Sequence, residues 1–214
     1  MRAMVSRFIA VDGPIGVGKS SLVELLATRF NAVKILEKID NPFLRDFYKE
    51  KPGAAFQTQL FFLLNRFVQQ RDLAQSDLFQ QFTLCDYIFA KDKIFAYLNL
   101  SDSELMLYER LYAVLSENVP RPDLVIYLQA STGVLVDRIG RRRRDYEAEI
   151  SAKYLEDLNQ AYNYFFYHYK ESPLLVINTT DIDFVENESD LEDLVAQIGN
   201  MGKGVQYYMP MSKR

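Results

Sequence analysis

The chain has 214 residues, 49% of them hydrophobic, and carries 25 basic against 29 acidic residues for a net charge of -4. That content supports one globular domain over residues 1–214 with a sizeable core, and it excludes a disordered or repetitive chain. The negative balance makes polyanionic DNA or RNA a poor partner and leaves a local basic patch free to take a small anion. There is one cysteine, no signal-like apolar region follows Met1-Arg2-Ala3-Met4, and no apolar run approaches the roughly 20 residues of a spanning helix. A cytoplasmic protein with no membrane partner is expected.

The first apolar run, Arg7–Asp12, reads as a buried strand. It leads into Gly13-Pro14-Ile15-Gly16-Val17-Gly18-Lys19-Ser20, a complete G-x-x-x-x-G-K-[ST] motif, and then into a helix over Ser21–Phe30. Strand before and helix after are the context this motif needs. Glycines let successive amides turn toward phosphate oxygens, the helix N-terminus adds positive partial charge, Lys19 reaches the β/γ-phosphates and Ser20 ligates magnesium. A plain glycine-rich turn would match the fixed positions and both flanks only by chance. No D-x-x-G after a strand and no N-K-x-D accompany the loop, so a GTPase switch is not indicated.

Val33–Glu37 reads as the second strand, with Glu37 at the sheet edge that carries the phosphate loop. A carboxylate there can take the proton of an acceptor hydroxyl in line with a γ-phosphate; a solvated acid beside Lys38 is the alternative. A long helix is predicted from Pro52 to about Gln75, and its Gln59, Phe62, Leu63 and Arg66 fall at i, i+3, i+4 and i+7. One stripe would then offer an amide, an apolar floor and a guanidinium to a single ligand, unless it is ordinary core packing. Gln81–Asp86 reads as the third strand, where Asp86 either holds magnesium or caps the following helix. Ser101 with Glu104, and Ser189 with Glu192, read as capping boxes opening helices near 102–117 and 190–198.

Asp123–Leu128 is the fourth predicted strand. The helix after it ends in Arg138, Arg141, Arg142, Arg143 and Arg144, with Arg138 and Arg142 on one face: a lid closing over phosphates, or a solvated basic turn. Ala148–Lys170 reads as an aromatic-rich helix and Leu174–Asn178 as the fifth strand. His168 and Cys85 are read as structural. Residues 202–214 read as a C-terminal arm, partly disordered. Strands alternating with helices call for a doubly wound, three-layer α/β fold around a five-stranded parallel sheet, with ligands at the carboxyl ends of the strands.

Taken together these residues resemble the deoxynucleoside kinase family, which includes the deoxycytidine, deoxyguanosine and deoxyadenosine kinases. The likeness covers nearly the whole chain. It runs through the phosphate loop, Glu37 with Asn41-Pro42-Phe43-Leu44, Tyr48 to Phe56-Gln57-Thr58-Gln59, Arg66, Asp86 to Asp92, Arg138–Glu147 and Asn178-Thr179-Thr180-Asp181. It implies ATP-dependent phosphorylation, with Mg2+, of the 5′-hydroxyl of a deoxyribonucleoside, by a homodimer. By the same likeness Glu37 is the base, Tyr48 and Glu147 hold the 3′-hydroxyl, and Gln59, Arg66 and Asp92, with Phe62 beside them, read the nucleobase. Lys19 and the lid arginines Arg138, Arg142 and Arg144 would stabilise the transferring phosphoryl group. The phosphate loop and the backbone of Asp181, Ile182, Asp183 and Phe184 would hold ATP, with magnesium on Ser20 and Asp86. The Arg66–Asp92 pair points away from thymidine, and a purine is favoured. The readings set beside this one are a nucleoside monophosphate kinase such as thymidylate kinase and an ATP-binding regulator. The family's acid-arginine-serine triplet is here Asp86-Tyr87-Ile88. Lys91, one turn beyond Tyr87, is the candidate to replace the missing arginine; the competing reading is a solvated surface lysine, with the lid arginines sufficient alone.

Overall fold

The computed structural model describes residues 8–75, 82–142 and 150–210. Its strands are β1 (Phe8–Asp12), β2 (Val33–Ile35), β3 (Thr83–Cys85), β4 (Leu124–Gln129), β5 (Leu174–Asn178) and β6 (Val205–Tyr208). They form one parallel sheet in the order β2-β3-β1-β4-β5-β6. The helices are α1 (Lys19–Phe30), α2 (Leu44–Tyr48), α3 (Ala54–Gln75), α4 (Asp92–Asn99), α5 (Asp102–Ser116), α6 (Thr132–Arg142), α7 (Ala152–Tyr167) and α8 (Glu188–Asn200), with a 3-10 turn at Phe89–Lys91.

Side chains of the central strands alternate between two apolar layers, as a sheet covered on both faces requires. Ile9, Val11, Ile126 and Leu128 pack on one side against Leu22 and Leu26 of α1 and Leu194 and Ile198 of α8. Phe8, Ala10, Val125 and Tyr127 pack on the other against Ile94 of α4 and Leu158, Tyr162 and Phe166 of α7. A third cluster, Leu63, Phe89, Ala96, Tyr108 and Tyr112, joins α3, α4 and α5. Leu63 therefore faces this core, and the predicted ligand stripe of α3 narrows to Gln59, Phe62 and Arg66.

The α/β class and the parallel sheet are as expected, but the sheet has a sixth strand. Within the predicted arm, Val205–Tyr208 pairs in parallel with β5, Leu174 opposite Val205. All of β6 but Tyr208 is exposed, so burial prints no apolar alternation on it; the open edge of β5 supplies the pairing. The Ser101–Glu104 capping box opens α5 as predicted. The second box does not form: α8 is capped by Asn187, whose Oδ1 accepts from Ser189 N at 3.0 Å, and Glu192 instead pairs with Arg29 of α1.

Candidate active site

The carboxyl ends of β1, β2 and β3 bring three short segments together. After β1 the chain turns through Gly13, Gly16 and Gly18, all with positive φ. A Cβ on Gly13 would lie 2.4 Å from the carbonyl oxygen of Leu128 in β4, so only glycine lets the loop lie this close to the sheet. Gly18 precedes α1 in a left-handed conformation and offers no side-chain cap, which leaves the first amides of α1 to a ligand. Lys19 Nζ reaches back over the loop to the carbonyls of Gly13 (2.8 Å) and Pro14 (3.1 Å). Burial, and then the charge of Lys91, push its pKa down to about 8 against the opposing pull of Asp12, Glu37 and Asp86.

Glu37 follows β2 and lies between two cations. Arg66 of α3 donates through Nε (2.8 Å) and Nη2 to Oε1, and Lys91 of the 3-10 turn donates to Oε2 at 2.7 Å. Burial alone would raise the Glu37 pKa; Arg66 and Lys91 overcome it and hold the carboxyl well below the usual carboxylate range. Lys91 is 3% exposed, so the surface-lysine reading is corrected. Asp86 does not cap a helix. Its Oδ2 accepts from Ser20 Oγ at 2.5 Å and its Oδ1 from the backbone amide of Glu37 at 2.6 Å, which ties the phosphate loop to the end of β2.

These groups open on a cavity of about 380 Å³. Its walls carry Lys19, Ser20 and Arg142 and also Tyr48 of α2 and Gln59, Phe62 and Arg66 of α3; the bonds from Ser20 to Asp86, from the Glu37 amide to Asp86, and from Arg66 and Lys91 to Glu37 link the two sets. Arg66 lies over the Phe62 ring, 4.8 Å from its centroid. A second cavity, of about 270 Å³, flanks the outer side of the phosphate loop and is lined by Arg138, Arg141, Arg142, Asp183 and Phe184.

A model of the family described as deoxynucleoside kinase matches residues 9–202. The chain belongs to the deoxynucleoside kinase family. It is 37% identical over 197 residues to the deoxyguanosine kinase of Bacillus subtilis (strain 168), covering 89% of this chain and 95% of that one. To the deoxyadenosine/deoxycytidine kinase of the same organism it is 30% identical over 201 residues, covering 90% and 92%. The fold matches a structure of deoxyadenosine kinase from M. mycoides with bound dATP, at a TM-score of 0.76 and 25% identity over 89% of this chain and 98% of that one. The protein is accordingly an enzyme that phosphorylates deoxynucleosides, and family membership decides against the monophosphate kinase and regulator readings.

Within this kinase the predicted residues converge unevenly. Gln59, Phe62, Tyr48, Glu37, Lys19, Ser20 and Asp86 share the larger cavity. Asp92 does not line it: fully buried, it pairs with Nη1 of Arg66 from behind. Arg138 is committed to protein acceptors, donating to the carbonyls of Val17, Thr179 and Ile182 and to Thr179 Oγ1 at 3.0–3.2 Å. Of the predicted ATP-side backbone, Asp183 and Phe184 line the outer cavity and Ile182 is buried in the core. Arg144 and Glu147 lie outside the described residues. Two contributors were missed. Asp12 accepts from Gly13 N (2.7 Å), Ile88 N (2.9 Å) and Tyr162 Oη (3.4 Å), binding the phosphate loop, the 3-10 turn and α7 to one carboxylate. An acid ending a buried strand directly before the loop was the available signal. Tyr162, which lines the larger cavity, gave none, being one aromatic among many on α7.

Cys85 and His168 stay outside this chemistry. Cys85 is buried and its thiol pKa is pushed up by desolvation. His168 is exposed at the end of α7, its Nδ1 2.9 Å from the carbonyl of Tyr164.

Proposed function

We propose that this kinase transfers the γ-phosphoryl group of ATP to the 5′-hydroxyl of a purine deoxyribonucleoside. The observation that carries the reading is Glu37, placed in one cavity with the phosphate-loop residues Lys19 and Ser20 and the Gln59–Phe62–Arg66 face of α3. Glu37 takes the hydroxyl proton as the oxygen attacks, and its depressed pKa keeps it ionised throughout the neutral range. Lys19, Arg142 and Arg144 balance the charge that spreads over the transferring group. Gln59 and Arg66, the latter backed by Asp92, hydrogen-bond the base edge over Phe62, and Tyr48 with Glu147 holds the 3′-hydroxyl. The backbone about Asp183 and Phe184 takes the adenine of ATP, with Arg138 holding that segment against the phosphate loop.

The Ser20 hydroxyl and Asp86 carboxylate, in contact at 2.5 Å, form a pair of hard oxygen donors that fits Mg2+, which takes few protein ligands and completes its shell with phosphate oxygens and water. When bound it neutralises β- and γ-phosphate charge. A purine is supported by relatives named for deoxyguanosine and deoxyadenosine, one of which is named for deoxycytidine as well. A homodimer is supported by the aromatic side chains Tyr97, Tyr164 and Tyr167, which α4 and α7 leave exposed. A cytoplasmic setting fits the single free, buried cysteine.

ADP release measured against four deoxynucleosides tests substrate and base together. Deoxyguanosine or deoxyadenosine is expected to give the highest kcat/KM, and Glu37→Gln to lower kcat at least a hundredfold. A pyrimidine preference removes the purine assignment, and near wild-type kcat in Glu37→Gln removes the base.

A further inference from the structure

The two cations on Glu37 are not equivalent. Arg66 is divided between two carboxylates: Nε and Nη2 go to Glu37 and Nη1 to Asp92. It also belongs to the face of α3 proposed to meet the nucleobase. Lys91 makes its ion pair with Glu37 alone among the described residues. Its backbone is held close by, since the amide of Ile88, which opens the 3-10 turn, donates to Asp12 at 2.9 Å and the amide of Lys91 donates to Ile88 O at 3.2 Å. Nζ also stands 6.0 Å from the centroid of the Tyr87 ring.

We propose that Lys91 is a positioning residue of the phosphoryl transfer, the resident partner that keeps the Glu37 carboxylate aimed while Arg66 is drawn toward the nucleobase. This rests on the reading of Glu37 as the base. A guanidinium that hydrogen-bonds a base edge has fewer donors left for Glu37, and a carboxylate that loses the bonds orienting it drifts from the line of attack. A lysine on the other oxygen prevents this without competing for the substrate. Burying a lysine beside an acid is costly, and an apolar pair of like volume packs as well or better. A pair kept in the wall of the reacting cavity, at the position of the proton acceptor, therefore has a use that packing alone does not explain. The charged and titratable groups that act on Glu37 among the described residues are Lys19 from α1, Arg66 from α3, Cys85 of β3, Asp86 and Tyr87 after it, Lys91 from the 3-10 turn and Tyr162 from α7. Of the cations, Lys19 is taken by phosphate and Arg66 by the base once both substrates are bound, which leaves Lys91.

Lys91→Met and Lys91→Gln remove the charge with and without an apolar head, and either suffices if the other fails to fold. Each is expected to lower kcat at least tenfold, about 1.4 kcal/mol of barrier, with the KM for the deoxynucleoside within threefold of wild type. Lys91→Arg should recover most of kcat. A merely structural lysine would instead lower the melting temperature and leave kcat little changed. Neutral variants within threefold of wild-type kcat, a KM that rises as far as kcat falls, or no recovery in Lys91→Arg would each overturn the proposal. Glu37→Gln run alongside separates the two readings: if it stays active the base assignment fails, and if it is dead while Lys91→Met is active, only the role of Lys91 fails.

Discussion

Lys19 and Glu37 share one field of buried charge, yet it moves their proton affinities for different reasons. For Glu37 the nearby cations outweigh desolvation, whereas for Lys19 desolvation and the Lys91 charge outweigh three carboxylates. A lysine with its pKa lowered to about 8 carries its charge below that value and loses it as pH rises through it. Binding of ATP to the free enzyme should therefore weaken by about tenfold between pH 7 and pH 9, the ratio of charged lysine at those two values. Calorimetric titration with ATP at both values measures this. Lys19→Arg keeps its charge over the range and should flatten the dependence; a wild-type dissociation constant independent of pH would rule the shift out.

At the scale of elements, α6 does more than carry a basic run. Its Arg138 crosses from the helix to Val17 in the phosphate loop and to Thr179 and Ile182 after β5, so one guanidinium fixes the spacing of two loops. This differs from a lid arginine reserved for the transition state, and the two roles separate kinetically. With Arg138→Met three carbonyls lose their donor, at about 1–3 kcal/mol in partly buried surroundings, and the loops flanking the outer cavity loosen. The KM for ATP is expected to rise severalfold while kcat at saturating ATP stays within about threefold. A fall in kcat of a hundredfold with KM unchanged would return Arg138 to the chemistry. Arg142 differs: it lines both cavities at the end of α6 and fits a group that acts across the phosphates.

The whole molecule places its chemistry at one side of the sheet and its last strand at the other. β6 lies beyond β5, whereas Glu37 and Asp86 follow β2 and β3 at the opposite end of the strand order. Removing residues 202–214 strips the ladder from β5 between Leu174 and Ile177 and bares part of a strand that is buried along most of its length. A loss of about 2–4 kcal/mol is expected from these backbone hydrogen bonds, a fall of roughly 5–15 °C in melting temperature for a chain of this size. Because the strand is far from the reacting groups, kcat at 25 °C should stay within about threefold. An unchanged melting temperature in a thermal-shift measurement would show that the edge strand contributes little.

What the sequence determined by itself is whatever depends on neighbours along the chain. The phosphate loop with its flanking strand and helix, the Ser101–Glu104 cap, the buried central strands and the placement of Glu37 and Asp86 at strand ends all follow from local patterns that survive folding unchanged. The tertiary structure decided how charge is shared. Arg66 and Glu37 are 29 positions apart and Lys91 and Glu37 are 54 apart, and no pattern along the chain says which cation reaches which oxygen. Helix spacing placed Arg66 on a ligand face but did not show its bonds to Glu37, and the basic run of α6 did not reveal that Arg138 holds carbonyls. β6 took its conformation from the open edge of β5 rather than from its own residues. The physical reason is common to all three: periodicity and capping act through the local backbone, whereas ion pairing, desolvation and edge pairing depend on distances that only the folded chain sets.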